Sequence, residues 1–352
     1  MQRPLSPSGI ITLDAVPIAS RFGQDEAAPA LEHSDRDRSH SYPWPVTTPD
    51  PKTDPRSMMV PLQTGERLHY LEWDGDPSAV PIVLVHGALR TAWTWLPVAR
   101  RLSASHPVVA VDLRGHGASD APREGYDLES LALDVLTIVA AKGWGEAVDG
   151  PPVVVAGHGF GAMVAATMAA IQPGSIAGLC LIDGGWEEVA DSTRMSPPEL
   201  LAAIADPPEV MASMEVYLAD RRDFDPASWD ADQETAARAQ VDEKHAGHVA
   251  LVTKLSVQRR LVDSMFAYRP AETLAAVDRP LLLLTAGSGA ADDDEERERG
   301  LAIEDLQRAR SDAGQRPAVV RRFDGSGHDL MRYQPDGVAA DLAAFSQSTT
   351  PT

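Results

Sequence analysis

From Met58 onward, short unbroken apolar runs alternate with stretches of helical periodicity. Met58 to Leu62 and Arg67 to Trp73 flank Thr64-Gly65 and predict a β-hairpin. Pro81 to His86, Pro107 to Asp112, Val153 to Ala156, Ile176 to Ile182, Leu281 to Leu284 and Ala318 to Phe323 predict six more strands. Runs without polar alternation suit strands covered on both faces, as a parallel sheet requires. Between them, Trp93 to Leu102, Leu128 to Ala141 and Phe160 to Ile171 predict helices. This alternation predicts an α/β fold, a mostly parallel sheet with helices on both faces.

Two stretches depart from that pattern. Residues 1–56 are proline-rich, with Pro43, Pro45, Pro49, Pro51 and Pro55 crowded together. Proline removes backbone donors and blocks helix, so a disordered or loosely docked extension is expected. Residues 186–270 are helical in pattern, without a buried-strand run, and hold 16 acidic against 9 basic side chains. They fall between the fourth and fifth of the six buried strands. A helical cap over the end of the sheet is expected, leaving residues 57–185 and 271–352 as the core; the alternative is extra core helices with no gating role.

Composition narrows the function classes. The 352 residues are 43% apolar, enough to fill a sizeable core. A net charge of −21 opposes binding to polyanions, so neither nucleic acid nor an anionic membrane is an expected partner. No run reaches the roughly 20 apolar residues of a membrane span. Ile10 to Ala19 is apolar but interrupted by Asp14 and Pro17, a poor secretion signal, so a cytoplasmic location is the default expectation. The single cysteine, Cys180, allows no internal disulfide and no thiolate zinc cluster. No cofactor or metal is expected, and the oligomeric state stays open.

Four motifs fall at strand ends, where ligands bind in open α/β sheets. They are His86-Gly87-Ala88, the run from Asp112 to Asp120 containing Arg114-Gly-His-Gly117, Gly157-His158-Gly159-Phe160-Gly161, and Gly325-Ser-Gly-His328-Asp329. In this order and context the chain resembles the α/β-hydrolase superfamily from about Met58 to Phe345, and most resembles its ester, lactone, epoxide and haloalkane hydrolases. The resemblance implies a nucleophile elbow, G-x-S-x-G, at Gly157 to Gly161, where a sharp strand-to-helix turn presents a side chain to substrate. It implies an oxyanion hole from the N–H of Phe160 and of Ala88 or Leu89, and a general base at His328. The family's acid falls at either of two places, represented here by Asp183 and Asp292. Asp183 is preferred because Asp292 stands several residues late after its strand.

The departure from the family is at the nucleophile position itself, Gly159. Glycine adopts the strained backbone of the turn at little cost but cannot form a covalent intermediate. His158 is adjacent, yet so sharp a turn aims it elsewhere, and it is grouped with the substrate-binding candidates. The others are Trp93 and Trp95, after the oxyanion loop, and Trp186 in the expected cap. With Met195, Met211, Met214, Tyr217, Phe224, Trp229, Met265, Phe266 and Tyr268, the cap offers an apolar, adaptable lining for a small molecule. Three readings follow: a hydrolase whose water is activated directly by His328, a pseudo-hydrolase that binds a small molecule or partner, and a lyase or cyclase using only His328 and the oxyanion hole.

Overall fold

The computed structural model describes residues 53–204, 211–245, 248–287 and 294–349. The proline-rich extension lies almost wholly outside the described residues, as does Asp292. The sheet begins within the range assigned to that extension: β1 starts at Arg56, not after it.

The elements run β1 (Arg56–Pro61), β2 (Arg67–Trp73), β3 (Ile82–Val85), α1 (Leu96–Leu102), β4 (Val108–Val111), α2 (Leu128–Ala141), β5 (Val153–His158), α3 (Phe160–Ile171) and β6 (Ile176–Ile182). The inserted segment follows: α4 (Val189–Thr193), α5 (Pro197–Ile204), α6 (Met214–Phe224), α7 (Ala231–Ala239), β7 (Val241–His245), β8 (His248–Leu251), α8 (Leu255–Ala267) and α9 (Pro270–Ala275). The chain then returns through β9 (Leu281–Gly287), α10 (Asp294–Asp312), β10 (Val319–Asp324), α11 (Leu330–Tyr333) and α12 (Pro335–Ser348).

Eight strands form one sheet in the order β1-β2-β4-β3-β5-β6-β9-β10. β1 pairs antiparallel with β2, and β2 with β4; every later pairing in this sheet is parallel. The unbroken apolar runs are explained by burial on both faces. Val83, Val85, Val109 and Val111 enter one core cluster with α2 and α3, while Ile82, Leu84, Val108 and Ala110 enter the other with α1 and α12. Ala162, Ala165, Ala166 and Ala169 are fully buried, and these small side chains let α3 lie close on the sheet.

The inserted segment corrects the purely helical expectation. Its β7 and β8 form a separate antiparallel ribbon, extended by a bridge from Met211 to Val249. β7 is mostly polar and β8 is only four residues long, so they carry little strand signal of their own. Tertiary packing supplies it: Val241 and Val249 join Tyr217, Leu218 and Ala237 in a small cluster apart from the main core. By contrast, Trp186, Val189, Leu200, Ile204, Leu261 and Met265 belong to the main core cluster.

Candidate functional site

The β5–α3 junction is the tightest part of the site. At Gly159, φ is +52° and ψ is −114°, a conformation that side chains other than glycine's strain to reach. The turn is held by bonds from Gly159 N–H to Ile182 O at 3.0 Å and from Ala162 N–H to Gly159 O at 3.0 Å. A Cβ on the flanking Gly161 would fall 2.4 Å from the carbonyl oxygens of Val85 and His86, so the backbones meet only because that side chain is missing.

A Cβ built on Gly159 would lie 3.3 Å from His328 Nε2 and 3.5 Å from its Cε1. His328 Nδ1 is 2.7 Å from Asp183 Oδ2. With its Nδ1–H donated to the carboxylate, the neutral ring turns its Nε2 lone pair toward the elbow. Asp183 caps the end of β6 with φ of +45°, and its Oδ1 accepts from Ala286 N–H at 2.9 Å and from Arg299 at 3.1 Å. Burial pushes the Asp183 pKa up, but the His328 hydrogen bond and the Arg299 charge outweigh it and hold the carboxyl below the ordinary range. For His328, burial pulls the pKa down, and the Asp183 hydrogen bond and charge more than reverse that, leaving it raised.

His158, Gly159, Phe160, Gly87, Ala88, Asp183 and His328 line one cavity of about 530 Å³. Phe160 is the first residue of α3, so its N–H has no partner within the helix and sits at the positive end of the helix dipole. Ala88 shares that wall, whereas Leu89, with φ of +59°, packs against the core and is not part of the lining. The rest of the wall is mostly apolar: Met163, Trp186, Val189, Leu200, Ile204 and Met265.

Other expected site residues are placed elsewhere. Trp95 is fully buried, and Trp93 packs beside it, in the core cluster formed with α1 and α12. After Arg90 the chain enters the short helical turn Ala92–Trp95, which leads into α1 on the other side of the sheet. Neither tryptophan lines the cavity. His158 reaches the wall but uses its Nε2–H to donate to His328 O at 3.1 Å, with the two rings 4.3 Å apart. Burial, reinforced by the neighbouring His328 charge, pushes its pKa down to about 3, so His158 stays neutral and braces the His328 loop. Of the expected cap lining, Trp186 and Met265 reach the cavity; Tyr217, Met211, Met214 and Trp229 fill the separate small cluster, and Phe224 is exposed.

Three contributors escape sequence reasoning. Arg90 pairs with Asp329 at 2.6 Å, tying the loop after β3 to the His328 turn. Arg299 arrives from α10, in a charged run that reads as an ordinary solvated helix. Glu187 lines the cavity half-buried, and burial raises its carboxyl pKa despite Arg299. The only sequence signal among them is Asp329, adjacent to His328. Among the described residues no group of three His, Cys, Asp or Glu side chains is placed to hold a metal ion, and no helix is long and apolar enough to cross a membrane.

A family model described as the alpha/beta hydrolase family matches residues 82–341. Epoxide hydrolase 4 of Mus musculus is 30% identical over 141 residues, 40% of this chain and 37% of that protein. A soluble epoxide hydrolase of Corynebacterium sp. is 36% identical over 101 residues, 29% of this chain and 32% of that protein. The matches span well under half the length of these relatives. Among solved structures, E-2-(acetamidomethylene)succinate hydrolase superposes with a TM-score of 0.67 at 19% identity, covering 83% of this chain and 99% of that one, a likeness of fold.

Proposed function

Because the chain belongs to the α/β-hydrolase family, we propose that it hydrolyses a small, largely apolar molecule with water activated by His328 and no covalent intermediate at position 159. One observation carries this reading. The Nε2 of a histidine already oriented by Asp183 faces, at 3.3 Å, the position that a Cβ on Gly159 would occupy. The glycine leaves that position open while the base and its acid remain assembled.

In this mechanism the attacking water gives its proton to His328 Nε2 as its oxygen bonds to the electrophilic carbon. Asp183 stays ionised and stabilises the imidazolium. The N–H groups of Phe160 and Ala88 stabilise the developing oxyanion, and His328 then returns the proton to the leaving group. Met163, Trp186, Val189, Leu200, Ile204 and Met265 give the substrate an apolar surface to pack on, within a lining that also carries charged side chains such as Glu187 and Arg299. Esters and lactones are the substrate classes this chemistry serves; the epoxide hydrolases among the relatives add the epoxide as a third.

Incubation with a panel of chromogenic short esters, lactones and epoxides tests the reading. Turnover abolished by His328→Ala supports it. The glycine itself favours a second reading, a binding protein that keeps the cavity and has lost the chemistry. Saturable binding of small apolar esters without turnover would select that reading instead.

A further inference from the structure

A serine–histidine–aspartate arrangement lies at the edge of the sheet, away from the cavity. β1 and β2 pair Ser57 with Leu71 and Met59 with His69, so Ser57 and His69 are diagonal neighbours on one face of the hairpin. Ser57 Oγ is 2.8 Å from His69 Nε2. His69 Nδ1 is in turn 2.7 Å from Asp112 Oδ2. Asp112 immediately follows β4, the other neighbour of β2, and its N–H donates to His69 O at 2.9 Å.

The three groups are pre-ordered. The Asp112 carboxylate also accepts from the N–H groups of Ala92 at 2.6 Å and Ala118 at 3.0 Å. Burial pushes its pKa up, but the His69 charge and hydrogen bond, with the His86 charge and the Ala92 N–H, more than offset that and keep the carboxyl below its usual range. The His69 side chain is 2% exposed, and its backbone N–H is fixed by Ser119 Oγ at 2.8 Å. Donating Nδ1–H to Asp112 selects the tautomer whose Nε2 accepts the Ser57 hydroxyl proton. Ser57 itself is exposed to solvent. An accessible nucleophile, a base within hydrogen-bond reach and an acid orienting the base are the parts that activate a serine.

We propose that Ser57 is an activated nucleophile, a second reactive site that accepts acyl groups from activated esters. Ser57 Oγ bonds to the acyl carbon as its proton passes to His69 Nε2. The bond from that carbon to the leaving oxygen then breaks, and His69 delivers the proton to the departing phenol or alcohol. Ser57 ends as an ester, His69 neutral and Asp112 ionised throughout, with no oxidant or reductant involved. The trio supplies a base and an orienting acid, so the reaction is a stoichiometric acylation by esters with good leaving groups. β2, β4 and β3 separate β1 from β5. The site is independent of the elbow, where glycine contributes no competing hydroxyl.

The full chain, incubated with p-nitrophenyl acetate and mapped by peptide mass spectrometry, provides the test. Ser105 and Ser348 are internal controls: both are exposed, and their hydroxyls are bonded to backbone carbonyls rather than to an imidazole. Acetylation of Ser57 should be about a hundredfold faster than at either control, within the 10²–10⁴ that a positioned general base contributes. The advantage should vanish in concentrated urea and in His69→Gln with an unchanged circular-dichroism spectrum. Ser57 acetylated no faster than the controls in the native chain, or equally fast folded and unfolded, overturns the proposal. The urea comparison decides even if His69→Gln fails to fold.

Discussion

Asp183 accepts a 2.7 Å hydrogen bond from His328 Nδ1 across 145 residues of sequence. The bond forms because Asp183 directly follows β6 and the turn after β10 brings His328 to the same end of the sheet, on either side of β9. It fixes which ring nitrogen faces the elbow, and it makes the site sensitive to pH in a defined direction.

The His328 pKa is raised above its ordinary 6.5. Folding therefore favours the protonated ring. The stability this contributes is fully present below the ordinary value and is lost as pH rises through the folded one. The proposed hydrolysis needs the neutral base, so it should rise over the same interval in which that stability is lost. Imidazole NMR should show His328 titrating above 6.5, and Asp183→Asn should bring the titration down. A His328 that titrates below 6.5 in the parent chain contradicts this.

Gly159→Ser should create or greatly raise ester hydrolysis. The serine Cβ would stand 3.3 Å from His328 Nε2, which places Oγ within reach of the base. The same change should lower stability by about 1–3 kcal/mol, because a side chain must occupy a left-handed backbone. Urea denaturation measures the cost, and kcat/KM on p-nitrophenyl acetate measures the gain. Adding His328→Ala should erase the gain; retention would separate the serine from that base.

Arg299→Met should leave Asp183 without its cationic neighbour. Losing a hydrogen bond to a charged group costs about 1–3 kcal/mol. Asp183 then acts on His328 with less of its charge neutralised, so the His328 titration should move further upward. A melting curve and an NMR titration of the same variant check both effects, and an unchanged titration would limit Arg299 to holding α10 in place.

Arg90→Met should destabilise more than most surface changes. The Arg90 and Asp329 side chains are 16% and 6% exposed, so the substitution takes a close cationic partner from a largely buried carboxylate. Breaking such a pair costs about 3–5 kcal/mol. Chemical denaturation reads the loss. Double substitution with Asp329→Asn should recover part of it, since the buried charge is removed as well.

The amino-acid sequence alone determined the sheet, because a strand buried on both faces requires an unbroken apolar run, and Ile82 to Val85, Val108 to Val111 and Leu281 to Leu284 leave little else for those residues to do. It also determined the sharp turn between β5 and α3, since Gly157, Gly159 and Gly161 express local backbone demands. Long-range approach is a different kind of information. Arg299 reaches Asp183 and Arg90 reaches Asp329 only once the sheet has set the loops side by side, and nothing near either arginine in the chain announces it. Trp93 and Trp95 follow the loop after β3 in sequence but turn to the opposite core, a choice made by the helical turn that precedes α1. The ribbon of a polar β7 and a four-residue β8 is too short to declare itself and depends on the cluster around Tyr217. Ser57 on β1, His69 on β2 and Asp112 just after β4 lie far apart in the chain, and strand register and sheet order make them neighbours.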